Sequence, residues 1–108
     1  MPGTLRAMGN TREIFMIAPS LTPSALTAST TTSQSFTVRG LLVGDQVAVN
    51  SDAAQTAAVG IANTRVTATD TLQITFSNSG AGTPTPVAGL YDMVVHRPEY
   101  LPLPTSAV

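Results

Sequence analysis

Between residues 71 and 76 the chain alternates polar and apolar side chains at every step. Leu72, Ile74 and Phe76 alternate with Thr71, Gln73 and Thr75. Successive side chains of a β-strand point to opposite faces, so a period of two predicts a strand with one face on a core. Just before it, Val66 and Ala68 alternate with Arg65, Thr67 and Thr69, and residues 59–62 read as a short strand of their own. Phe36 and Val38 alternate with Thr37 and Arg39, and Val47 and Val49 with Ala48 and Asn50. Gly44-Asp45 lies between these two runs. Glycine tolerates positive φ and aspartate bonds its own backbone, so residues 34–50 predict a β-hairpin. Residues 51–57 are small and polar and read as a loop. Residues 78–86 form a long Gly/Pro turn, since proline is not accommodated in a central strand. Residues 89–97, with Leu90, Tyr91, Val94 and Val95, predict the last strand.

Short strands separated by turns predict an all-β fold, a single small β-sandwich or jelly-roll-like domain. The predicted core is Phe36, Val38, Val47, Val49, Ile61, Val66, Leu72, Ile74, Phe76, Leu90, Val94 and Val95. No stretch carries a sustained helical stripe. The domain is expected at residues 34–97. Residues 1–33, with Pro2, Pro19, Pro23 and a Thr/Ser run, predict an extended N-terminal arm. Residues 98–108, with Pro98, Pro102 and Pro104, predict a proline-rich C-terminal arm.

Composition narrows the classes. Only 10% of the 108 residues are charged, the formal net charge is -1, and all five basic residues are arginine. Nucleic-acid binding needs clustered positive charge, so none is expected. The chain has no cysteine, which removes disulfides and thiolate metal sites. The apolar run at residues 14–18 is shorter than the ~7–15 residues of a signal peptide core or the ~20 of a spanning helix, so neither export nor a membrane partner is expected. Small side chains and few aromatics limit what one core contributes. Association stabilises whatever binds only the folded state, so a homo-oligomer is expected.

Reactive constellations are sparse. The single histidine, His96, has no serine in a Gly-x-Ser-x-Gly elbow to pair with. The carboxylates Glu13, Asp45, Asp52, Asp70, Asp92 and Glu99 are scattered singly, which predicts no metal site. Asp45 and Asp70 read as turn residues. Gly80-Ala81-Gly82 precedes Pro84 and Pro86 where a phosphate loop would open a helix, so no nucleotide cofactor is expected. Neither catalysis nor any cofactor is expected. Contact residues are the better candidates. Ile14, Phe15, Met16 and Ile17 are consecutive and apolar, so they need burial on both faces or a partner. Arg39 and Arg65 sit at outward positions, as solvated side chains or interface guanidiniums. Tyr91 reads as a core-edge ring with a bonded hydroxyl. Tyr100, in the C-terminal arm, reads as an anchor for a neighbour's groove.

Taken in order, Phe36-Thr-Val-Arg-Gly-Leu41, Val43-Gly-Asp-Gln-Val47, Gly60-Ile-Ala-Asn-Thr-Arg-Val66, Ala68-Thr-Asp-Thr-Leu-Gln-Ile-Thr-Phe-Ser-Asn78, Gly89-Leu-Tyr91 and Val94-Val-His-Arg97 make one pattern. Over about residues 35–97 it resembles small structural proteins of tailed-bacteriophage virions, of the head decoration (cement) or short head-fibre kind. The resemblance implies a non-enzymatic virion protein, often a trimer, that sits on the outer capsid and bridges adjacent major capsid proteins. Residues 1–33 would then be the main capsid contact, and deleting residues 1–20 would leave a folded domain that no longer binds shells. A head-fibre, tail or baseplate subunit is the alternative, and a carbohydrate-binding or adhesion sandwich a second. The last would want an exposed aromatic platform, and the chain has no tryptophan and two tyrosines.

Overall fold

The computed structural model describes residues 11–98, and every regular element in that span is a strand. In chain order they are β1 (Thr11–Ile17), β2 (Ser20–Leu21), β3 (Thr31–Thr37), β4 (Gln46–Ser51), β5 (Val59–Ala68), β6 (Thr71–Asn78) and β7 (Gly89–Pro98). They form two antiparallel sheets. In one, β6 lies between β3 and β5. In the other, β7 pairs with β1, β2 and β4.

β1 and β4 both pair with residues 93–96 of β7, so they occupy opposite flanks. β2 pairs with Gly89 and Leu90, beyond the reach of β1. Only Ala18 and Pro19 separate β1 from β2, too few residues to cross β7, so the two share one flank. The Tyr91 N–H donates to the Pro19 carbonyl across this junction. The strand order is that of an immunoglobulin-type Greek key, with β3-β6-β5 as B-E-D and β4-β7 as C-F, and β1 in the place of strand G. Tyr91 adds a tyrosine corner. At the start of β7 its hydroxyl donates to the Val87 carbonyl at 2.6 Å.

The core fills the space between the sheets. β6 contributes Leu72, Ile74 and Phe76, and β7 contributes Tyr91, Met93 and Val95, all fully buried. Leu21 of β2 and Leu26, Val38 and Leu41 of the connections close it. Buried polar groups are satisfied. The Asn78 carboxamide donates to the Thr27 and Gly82 carbonyls and accepts from the Gly80 N–H. Gln55 accepts from the Val87 N–H and donates to the Tyr91 hydroxyl.

The sandwich is as expected, but several elements differ from the pattern reading. Residues 34–50 are not a hairpin: β3 pairs β6, β4 pairs β7, and the link between them crosses from sheet to sheet. Leu41, fully buried, is the reason, because it pulls that link into the core. The tight hairpin is β5–β6, closed through Thr69 and Asp70, with Asp70 at φ +59°. Residues 59–62 and 66–68 are one strand, interrupted by register shifts near Ala62 and Thr67 that hide the period. The domain begins well before residue 34, since β1 fills a flank of β7 and Leu21 and Leu26 are core. β7 runs through Pro98. The remainder of both expected arms lies outside the described residues. Leu90 and Val94, predicted as core, point outward, because the inward set of β7 is Tyr91, Met93, Val95 and Arg97.

Candidate functional site

Arg97 is the fourth inward residue of β7. An inward arginine needs carboxylate partners, because an unpaired buried charge is expensive. Its Nε donates to Asp45 Oδ1 at 2.9 Å and its Nη2 to Oδ2 at 2.8 Å, a bidentate pair. Nη1 donates to Glu13 on β1 at 2.9 Å, and Nη2 also donates to the Gly40 carbonyl at 2.6 Å. The guanidinium carbon lies 5.2 Å from the centre of the Phe15 ring, within cation–π range. One side chain thus ties β7, β1 and the 40–45 turn together. Burial pushes the Asp45 carboxyl upward, but the hydrogen bonds from Arg97 and the Leu42 N–H, with the Arg97 charge, prevail and hold it below its ordinary value. Hydrogen bonding to Asp45 outweighs burial and raises the Arg97 pKa. Arg97 and Asp45 are buried and already paired, and the half-exposed Glu13 joins them from β1, so the cluster positions β1.

Fixing β1 against β7 creates a surface on the far side of the sheet. Ile14 and Gln46 flank His96 in register, and Met16 and Ala48 flank Val94. Farther along, Asn50 is opposite Asp92 and Ser20 is opposite Leu90. Among the described residues, four of the five exposed large apolar side chains lie on this face: Ile14 (56% exposed), Met16 (72%), Leu90 (48%) and Val94 (41%). A shallow groove of about 350 Å³ runs beside them, lined by Gln46, Val47, Ala48, Val94 and His96. The outer face of the other sheet has the opposite character. Its rows are Ser33–Thr75–Asn63 and Ser35–Gln73–Arg65, with the Ser33 and Thr75 hydroxyls bonded at 2.8 Å.

Of the contact residues anticipated from sequence, Ile14 and Met16 are on the apolar face. Phe15 and Ile17 turn inward and pack against the core, which resolves the run of four apolar residues as two facing each way. Arg39 is exposed just past β3, and Arg65 is exposed on β5, away from the apolar face. Tyr100 lies outside the described residues. Sequence reasoning missed Leu90 and Val94 as surface residues. The signal was available, since Asp92 and His96 share their parity. Among the described residues no three His, Asp or Glu side chains gather to hold a metal. No protein-family model, curated protein or solved structure matches the chain.

Proposed function

We propose that this chain is a non-enzymatic structural subunit of a tailed-bacteriophage virion, a decoration protein that binds the outer capsid and braces it by contact alone. The observation that carries the association is the apolar outer face of the β7 sheet. Singly scattered exposed apolar residues are ordinary, but a contiguous apolar patch on a small domain marks an interaction surface. Ile14, Met16 and Val94 are neighbours across two strands, and Leu90 lies on the same face of β7 beyond Asp92. The virion setting is supported by the sequence resemblance over about residues 35–97. A rigid sandwich with a nearly uncharged contact face suits such work, because apolar contacts hold across a wide range of salt.

The test is to add purified chain to expanded phage heads that lack decoration and to image them. Regular density at many sites over the shell is the expected result, and Met16→Glu should lower occupancy at least tenfold. Copies confined to a vertex or tail would replace the decoration role with that of a fibre or tail subunit. No binding to virions would overturn the proposal.

A further inference from the structure

We infer that the occupant of the apolar face is a second copy of this chain, stacked sheet on sheet about a two-fold axis. The inference rests on the structural-subunit reading above and deepens it: the face joins two copies, and the pair is what binds the shell, so Met16→Glu lowers occupancy by splitting the pair.

The first argument is self-complementarity. Take a two-fold axis lying in the interface, perpendicular to the strands, at the Met16–Val94–Ala48 row. β7 then stacks antiparallel on β7 and β1 on β1, and Val94 and Met16 meet their own counterparts. The His96 row comes to lie over the Asp92 row of the second copy, because the two rows are equally far from the axis along β7. Asp92 is the one acidic residue within these paired rows, and this arrangement sets it against an imidazole instead of another carboxylate. An isologous contact requires such pairing, since each patch must recognise itself.

Size is the second argument. The exposed apolar side chains present on the order of 400 Å² of apolar surface, within the range that marks a functional patch on a monomer. With its polar margin the three-stranded face offers on the order of 600 Å², the low end of what one partner buries in a specific pair. The other outer face has serine, threonine, asparagine, glutamine and arginine at the corresponding rows and offers no such driving force.

The full chain should therefore sediment as a dimer at about 100 µM, and Met16→Glu should weaken the pair at least tenfold while keeping the circular dichroism spectrum of the folded chain. Ser35→Glu, on the opposite sheet, should leave the dimer intact. The chain contains no cysteine, so a single introduced thiol gives a second readout that needs no charged variant. A short bis-maleimide should couple Met16→Cys chains in pairs and leave Ser35→Cys chains single. A wild-type monomer or trimer, or a dimer indifferent to Met16→Glu, would overturn the inference. Head binding separates the two claims. A monomer that still decorates shells through Met16 defeats the two-fold pair and leaves the decoration role standing. A dimer that ignores shells does the reverse.

Discussion

Arg97 and Asp45 form the ion pair on which the β1 side of the sandwich depends. The Asp45 side chain is fully buried, so its charge has little solvent to fall back on. Removing one member of such a pair strands the other, which costs about 3–5 kcal/mol. Asp45→Ala and Arg97→Ala should each lower stability by about that much in urea unfolding, and the double variant should lose less than their sum. Arg97→Lys should not restore the loss, because an ammonium cannot supply the bidentate fork to Asp45 while also bonding Glu13 and Gly40. The pH dependence has a definite sign. The folded-state pKa of Asp45 is depressed, so its contribution is present above the unfolded carboxylate value of about 4 and disappears as pH falls through the lower folded value. Unfolding midpoints should drop below about pH 4 in wild type, and that drop should be smaller in Asp45→Ala. Asp45 was legible from sequence as a turn residue and is one: its N–H donates to the Leu42 carbonyl, and its carboxylate accepts from the Leu42 N–H. Its partner was not legible. Arg97 is 52 residues away, and only the parity of β7 hints that it points inward.

At the scale of elements, β1 decides where the domain begins. It covers a flank of β7 and brings Phe15, Ile17 and Glu13 to the sandwich. Deleting residues 1–20 should therefore unfold the domain or cost several kcal/mol, rather than leave it intact without its arm. Circular dichroism of the truncated chain settles this, with deletion of residues 1–10 as the comparison. The turn before β5 carries a second consequence. Ala58 sits at φ +69°, a left-handed conformation that costs a residue with a Cβ about 1–2 kcal/mol. Ala58→Gly removes that strain but raises the entropy of the unfolded chain, so it should stabilise by about 0.5–1 kcal/mol. A lower thermal midpoint would show that the backbone there is not strained. β6 was plain in the sequence because its alternation is unbroken, while β5 was split by its bulges. The supposed hairpin of residues 34–50 failed for a different reason. Two runs of strand period with a turn between them do not say whether the chain returns beside itself or crosses to another sheet.

At the scale of the whole molecule, the described residues make one core shared by two sheets and two outer faces of opposite chemistry. Because Leu72, Ile74 and Phe76 face the same interior as Tyr91, Met93 and Val95, the sheets should unfold together. Far-ultraviolet circular dichroism and Tyr91 fluorescence, read in a Tyr100→Phe background, should trace one coincident transition. Separate transitions would mean the sheets fold independently. The apolar outer face follows from the same geometry. Alternation along β7 is nearly complete, yet its outward set of Leu90, Asp92, Val94 and His96 is itself half apolar, so hydropathy alone did not say which face was the core. The sequence by itself determined that the chain is all-β, that β6 is a half-buried strand, that threonine, glutamine and serine supply its solvent face, and that residues 14–17 carry more apolar surface than one face of a strand can hide. These are local properties, set by period and composition. Which strands pair, which side of β7 faces inward, and that Ile14 and Met16 join Val94 in one exposed patch were decided only in the tertiary structure. The last of these joins residues more than 70 positions apart, and the burial of Arg97 with Asp45 sets which side of β7 faces inward.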